Sequence, residues 1–330
     1  MGVCGISSRL SGAVDYGILS TMQKKDQIAD VLKKSERFET NIFFEMSRKL
    51  YSDSATQCDP LYDIAFQKTN GFRDKITPQT LLDDSRIIKV LRYCMLPVLS
   101  QMKLGQLVGL DTTAVFEDNI IDRGPRVKEL KKAAPEICRM VNRYLDSQRF
   151  LWLQEALKGR ELRLAEKYAK QWTCSLIANQ NSATAFRNWR KELQETTAVE
   201  AIVKAGYVSV QTRRIVTAIG DLLVGQYSRE CRVQGRNVQK ADLAVRLKKS
   251  GKLLLIEAKA IGVRIDAFKR VKECREKFDD WKGRFGNDVE CAVVLSGFVP
   301  QKEYESLLNA GGLVFWEYDI AALTRYLRTH

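Results

Sequence analysis

The stretch Leu253–Ala260, "LLLIEAKA", decides how this chain is read. Four apolar residues run straight into Glu257, Ala258 and Lys259. A short unbroken apolar run suits a strand buried on both faces, where charge is normally avoided. In a strand, residues i and i+2 share a side, so Glu257 and Lys259 project together and Ala258 points away. Asp242 stands 15 residues before Glu257, in "ADLAVRL". The intervening "KKSGK", Lys248–Lys252, is short enough for a hairpin. A hairpin makes the two strands neighbours and lets Asp242 reach the same patch.

The surrounding pattern supports a sheet. Upstream, "FRNWRKELQETTAVEAIVKAGY" reads as a helix ending at Gly206, a left-handed C-terminal position. "YVSV", a helical or strand-like "RIVTAIGDLLV" and "YSRECRV" follow. Downstream, Ala267, Val271, Cys274, Phe278, Trp281 and Phe285 step by four and three, which is one face of a long helix. "VECAVVLSGF" is a buried strand, "QKEYESLLNAG" a helix, "GLVFWEY" a strand and "IAALTRYL" a last helix. Strands alternating with helices predict an α/β sheet covered on both faces.

Residues 1–183 read as a mostly helical region. Turn signals gather at "QCDPLYD" and "TNGFRDKITPQT", and 145–183 looks helical. Residues 102–119, "MKLGQLVGLDTTAVFEDN", have the spacing of a candidate helix-turn-helix. Gly109 makes its turn, Asp111 caps the second helix, and Thr112 and Thr113 are candidate DNA contacts. The acids Asp111, Glu117 and Asp118 are poor electrostatics against phosphates, so a plain helical corner stands beside that reading.

Composition narrows the chemistry. There is one histidine, the terminal His330, which excludes serine–histidine and cysteine–histidine nucleophile systems and HExxH metal sites. No two of the eight cysteines lie within four residues, so zinc-knuckle spacing is missing and reduced core cysteines are expected. There is no apolar run of membrane length, the start lacks the apolar core of a signal peptide, and Ile6 occupies the myristoylation Ser/Thr position. An intracellular, cytoplasmic protein with no membrane partner is the expectation. A net charge of +14 favours a polyanionic partner, nucleic acid first.

Two converging carboxylates suit a hard divalent cation, Mg²⁺ foremost, with the Ala258 carbonyl as a further oxygen. An adjacent lysine stabilises charge in a phosphoryl transition state. Asp242, Glu257 and Lys259 therefore form a candidate engine for phosphodiester hydrolysis that needs no histidine. A salt-bridged pair at a strand end is the plain alternative.

These residues carry a resemblance. "ADLAVRL…LLLIEAKA" resembles the paired core strands of the PD-(D/E)xK nuclease superfamily, with Ala241 in the proline position. "IEAKAIGVRIDAFKRVKECREKFDDWKGRFGNDVECAVVLSGF", "VFWEYDIAALTRYL" and "NWRKELQETTAVEAIVKAGY" are similar to the C-terminal half of XamI-type type II restriction endonucleases, and "RYCMLPVLSQMKLGQLVGLDTTAVFEDN", 92–119, more weakly to their helical region. The resemblance implies a PD-(D/E)xK core over 184–330, a mixed central sheet flanked by helices, behind the helical region 1–183. It implies a homodimer cutting both strands of a short palindrome in double-stranded DNA, dependent on Mg²⁺. A bacterial host with a cognate DNA methyltransferase is part of that expectation, and the founding member's target, GTCGAC, is a candidate site. Asp242 and Glu257 become metal ligands and Lys259 the catalytic lysine. Glu195, with Glu192 as alternative, becomes the extra acid of the helix before the core, though both also read as surface glutamates. Arg264, Lys269 and Arg270 become DNA contacts beside the cut, or a solvated basic face. Arg187, Arg190, Arg213 and Arg214 are further channel candidates. A DNA-binding regulator with a degenerate nuclease-like domain and a non-specific or repair nuclease are the alternatives.

Overall fold

The computed structural model describes residues 21–211 and 215–330. The Met-Gly start, Cys4, Arg213 and Arg214 lie outside the described residues. Two compact units are distinguished. One combines the described residues up to Ile42 with Arg190–His330, and the other is Phe43–Trp189. The sequence division at 183/184 falls inside the helix that spans Gly159–Lys204.

Phe43–Trp189 is helical. It takes the latter part of α1 (Thr21–Lys68), then α2 (Pro78–Asp83), α3 (Ile87–Tyr93), α4 (Gln101–Leu107), α5 (Ala114–Asp118), α6 (Pro125–Tyr144) and most of α7 (Gly159–Lys204). Tyr62, Leu81, Ile87, Leu91, Phe116, Leu130, Ile137 and Phe150 form its core. The turn expected at "QCDPLYD" is not made: α1 runs through it with Pro60 inside the helix. Proline costs a backbone hydrogen bond there. Burial of Cys58, Tyr62 and Ala65 on the same helix outweighs it. The "TNGFRD" turn forms, with Asn70, Gly71 and Phe72 all at positive φ. Before α7, residues 145–158 form no α-helix; they hold a bridge from Leu145 to Met95 and a 3₁₀ turn, Leu151–Leu153.

The candidate helix-turn-helix becomes two short helices of seven and five residues, α4 and α5, with Gly109 at φ +74° between them. Gly105 lets α4 meet the returning chain, because a Cβ there would stand 2.9 Å from the Thr112 Cα. Glu117 is buried against Arg92 at 2.8 Å. Thr113 is buried too, its hydroxyl donating to Glu117 at 2.6 Å. The expectation that Thr113 touches DNA is thereby corrected: burial leaves it no surface to offer. Thr112 is half-buried, its hydroxyl accepting from the Ala114 N–H at 3.2 Å.

The other unit is built on a six-stranded mixed sheet in the order β1-β2-β3-β4-β5-β6. The strands are β1 (Val208–Ser209), β2 (Gln226–Gln234), β3 (Val238–Arg246), β4 (Leu253–Ile261), β5 (Val289–Gly297) and β6 (Leu313–Trp316). β2, β3 and β4 are antiparallel neighbours, and β4, β5 and β6 run parallel. The hairpin forms as expected, closed by the Leu247 N–H donating to the Lys252 carbonyl at 2.9 Å. Helices α8 (Arg264–Phe285) and α9 (Gln301–Asn309) connect the parallel strands, and α10 (Ala321–Thr329) follows β6. The described part of "RIVTAIGDLLV", 215–224, is neither helix nor strand but a loop with an isolated bridge from Val216 to Val233 and a 3₁₀ turn, Ile219–Asp221.

Both faces of the sheet are covered, as continuous apolar strands require. Ala267, Val271, Cys274, Phe278 and Trp281 of α8 pack on Leu253, Leu255, Val293 and Leu295. Ala198 and Ile202 of α7 and Leu323 and Leu327 of α10 pack on Leu254, Ile256, Ala292 and Val294. The start of α1 joins this unit across some 260 residues of sequence. Ser35 Oγ donates to the Gly297 carbonyl at 3.0 Å and accepts from its N–H at 2.9 Å. Buried Arg190 holds Glu39 and Glu317 at 2.7 Å each, and Ser296 accepts from the same guanidinium. Burial disfavours the Arg190 charge, but the two glutamates outweigh it and hold its proton more tightly than usual. Arg190 is thus structural rather than a channel residue.

Candidate active site

The site forms where β3 and β4 part. Their antiparallel ladder ends at Leu243 and Ile256. One step further along that register, Asp242 faces Glu257. Just past it the Asp242 carboxylate accepts from the Ala258 N–H at 2.8 Å. Side-chain alternation slips at the same level. Tyr227, Leu243 and Val245 face the α7 side, whereas Cys231, Val233 and Ala241, also odd-numbered, face the α8 side. Glu230, which the register sets opposite Asp242, adopts φ +48°. A left-handed non-glycine residue costs free energy and is tolerated where the neighbouring structure enforces it. That twist turns Asp242 out of regular pairing and toward β4.

Glu257 is 0% exposed. Lys259 donates to its Oε2 at 2.7 Å and lies 3.9 Å from Asp242 Oδ2. The period of two thus brings Glu257 and Lys259 together, with Asp242 across the hairpin. Burial works against the Lys259 charge, but Glu257 and Asp242 outweigh it and raise its proton affinity above the ordinary lysine range.

Sequence reasoning missed a fourth member. Lys277 of α8 donates to Glu257 Oε1 at 2.8 Å and to the Lys240 carbonyl at 2.6 Å. The signal was present: Lys277 follows Cys274 by three and precedes Trp281 by four, which sets it on the rim of the sheet-facing stripe. Cys274 lies beneath, its thiol pushed up to about 12 by burial, and is therefore a neutral packing group.

The other expected residues are not drawn into this cluster. Glu195, nearly buried on α7, faces Arg229 at 3.8 Å and Lys191 at 3.6 Å. Glu192 is exposed. Arg264, Lys269 and Arg270 are exposed on the first two turns of α8. Arg264 pairs with Glu36 at 2.6 Å and Arg270 with Glu273 at 3.6 Å. Arg187 is exposed on α7 in the helical unit.

Two carboxylates from adjacent strands give an all-oxygen donor set, which fits a hard divalent cation such as Mg²⁺. Among the described residues, no group of three His, Cys, Asp or Glu side chains gathers as a metal cage. Mg²⁺ commonly keeps waters and takes phosphate oxygens, so two protein carboxylates suffice.

Residues 72–316 match the sequence profile of the XamI restriction endonuclease family. The chain is similar to the type II restriction enzyme SalI of Streptomyces albus G, 25% identical over 88% of this chain and 94% of that one. It is also similar to the type II restriction enzyme XamI of Xanthomonas campestris pv. amaranthicola, 24% identical over 68% of this chain and 78% of the other. A solved structure of the Vibrio cholerae protein VC1899 overlaps 52% of this chain and 43% of its own at 14% identity, with a TM-score of 0.28, a likeness too slight to bear on the fold. No described helix is long and apolar enough to cross a membrane.

Proposed function

The chain belongs to the XamI restriction endonuclease family and is a type II site-specific deoxyribonuclease, and from that premise we propose that Asp242, Glu257 and Lys259 are its catalytic centre. The observation that carries this is the meeting of the three side chains where β3 and β4 part. In this proposal β2–β5 and α8 form a PD-(D/E)xK core within a nuclease domain over 184–330 that the start of α1 joins, and the helical region is Phe43–Trp189, with α4 and α5 as its helix-turn-helix. Asp242, Glu257 and the Ala258 carbonyl hold Mg²⁺, which supplies Lewis acidity at the scissile phosphate.

The chain's own residues do the rest. Asp242 is held on the Ala258 N–H, which fixes its carboxylate at the strand opening. Buried Glu257 is oriented by ammonium groups on both oxygens. Lys259 keeps its proton and faces the developing negative charge of the phosphorus centre. Water oxygen bonds to phosphorus, the bond to the leaving oxygen breaks, and a proton reaches that oxygen. Exposed Arg264, Lys269 and Arg270 at the start of α8 contact the DNA backbone, which positions the duplex without reading it. Thr112 contacts DNA from the α4–α5 turn, and Glu195 serves as the auxiliary acid from α7.

The substrate is a short palindrome in double-stranded DNA, cut by a homodimer in a cytoplasm where a cognate methyltransferase protects the host. The test is a plasmid carrying GTCGAC, incubated with Mg²⁺ or with EDTA. Discrete Mg²⁺-dependent bands are expected from the wild type, and none from Asp242→Ala, Glu257→Ala or Lys259→Ala, all still binding DNA. Full cleavage by either carboxylate variant overturns the site. Discrete bands from a plasmid lacking GTCGAC exclude only that sequence. A smear overturns site-specific cutting.

A further inference from the structure

Glu257 is held by two lysines, and they are not equivalent. Lys259 comes from β4 and sits on Oε2, with Asp242 at 3.9 Å. Lys277 comes from α8, sits on Oε1, and divides its ammonium with the Lys240 carbonyl on β3. Only Lys259 therefore lies between the two carboxylates. Lys277 lies on the far oxygen, anchored to backbone just beyond the point where β3 leaves β4. It is also 5.8 Å from the Trp281 ring, which confines it on a third side. A fully buried carboxylate with one oxygen pinned in this way cannot rotate freely.

The charges also balance. Asp242 and Glu257 contribute two negative charges, and Lys259 and Lys277 two positive ones. A divalent cation entering this cluster meets no net negative charge and leaves it with an excess of two positive charges. The scissile phosphate of DNA is the group that relieves that excess.

We propose that Lys277 is a positioning residue of the nuclease site: it fixes Glu257 through Oε1 and, by its charge, makes divalent-cation binding depend on DNA. This rests on the proposed role of Asp242 and Glu257 as cation ligands. Loss of the Lys277 charge leaves the cluster with one net negative charge. The free protein then takes a cation more tightly, and DNA adds less.

The experiment is calorimetric titration of Ca²⁺ into the full-length protein, alone and with a duplex bearing the sequence that the wild type cuts. The wild type is expected to bind Ca²⁺ weakly alone and much more tightly with duplex. Lys277→Met is expected to bind Ca²⁺ about tenfold more tightly without DNA, the scale of removing one charge a few ångströms from a divalent ion in a water-like screen. The gain on adding duplex should shrink by a similar factor. Lys277→Arg, which keeps the charge, should restore the wild-type dependence. Lys277→Gln, which loses the charge but keeps a donor for the Lys240 carbonyl, should behave as Lys277→Met and serves if the methionine variant does not fold. A purely structural lysine would lower the melting temperature and leave both cation affinities alone. Unchanged or weaker Ca²⁺ binding in the two uncharged variants overturns the proposal. If wild type and Glu257→Gln bind Ca²⁺ identically with duplex present, the ligand role of Glu257 fails, and this proposal with it.

Discussion

At the scale of single residues, Glu257 shows what the site requires. A carboxylate fully out of water is costly unless paired, and removing one partner of a buried pair exposes that cost. Two ammonium groups meet its two oxygens, so Glu257 is stable where it stands. Asp242 is different: it is half-buried, and its bond to the Ala258 N–H is one that an amide oxygen also accepts. Asp242→Asn should therefore leave folding intact and lower cleavage at least 10²-fold, the scale of losing one charge-stabilising group. Thermal unfolding beside single-turnover cleavage checks this; near-normal cleavage from a folded variant would remove Asp242 from the centre. The triad was legible in sequence because strand period and a five-residue hairpin are local rules. Lys277 was not, because its contact with Glu257 depends on how α8 lies across the sheet, which spacing narrows to the rim of a stripe and no further.

At the scale of elements, the ends of β4 and β5 are the sensitive point. Gly297 ends β5 at φ +95°, and a Cβ there would stand 2.0 Å from the Ile261 carbonyl, where β4 ends. That obstacle is backbone, so it does not yield cheaply. Gly297→Ala should cost about 2–4 kcal/mol, combining left-handed strain with displaced strands. It should also slow cleavage, because Ile261 is two residues beyond Lys259; an unaltered melting temperature contradicts this. Arg190→Met tests the neighbouring clamp. It leaves Glu39 and Glu317 buried without their cation, and breaking such a group costs about 3–5 kcal/mol. A variant as stable as wild type would show that the clamp contributes nothing net. The helix–strand order from β3 to α10 was readable in advance because each element carries its own periodicity, whereas "RIVTAIGDLLV", apolar without a clear period, was not. The clamp was not, since Glu39 and Ser35 meet residues more than 250 positions away. Pro60 misled in the other direction: a reliable local breaker was overruled by the core that α1 joins.

At the scale of the whole molecule, charge and symmetry make separate predictions. The +14 charge was plain from composition, and phosphate contacts release counterions. DNA affinity should fall about 10³-fold or more between 50 and 200 mM salt, as for proteins that neutralise six or more phosphates. A flat salt profile would detach the charge from DNA binding. Symmetry is the harder matter, because the proposed palindrome would present the same phosphate twice, and one catalytic centre serves one strand at a time. In a homodimer each subunit cuts its own strand. Wild-type protein refolded with excess Glu257→Gln protein should then form mixed dimers with one working centre. These should convert supercoiled plasmid to the nicked circle, with little linear product, in proportion to the mixed species. A monomer cutting both strands in turn would still give linear DNA, only more slowly, as the wild-type share is diluted. Sedimentation velocity on the same samples ties the outcome to subunit number: nicking by a dimeric species supports two centres acting together, and linearisation at monomer mass overturns it.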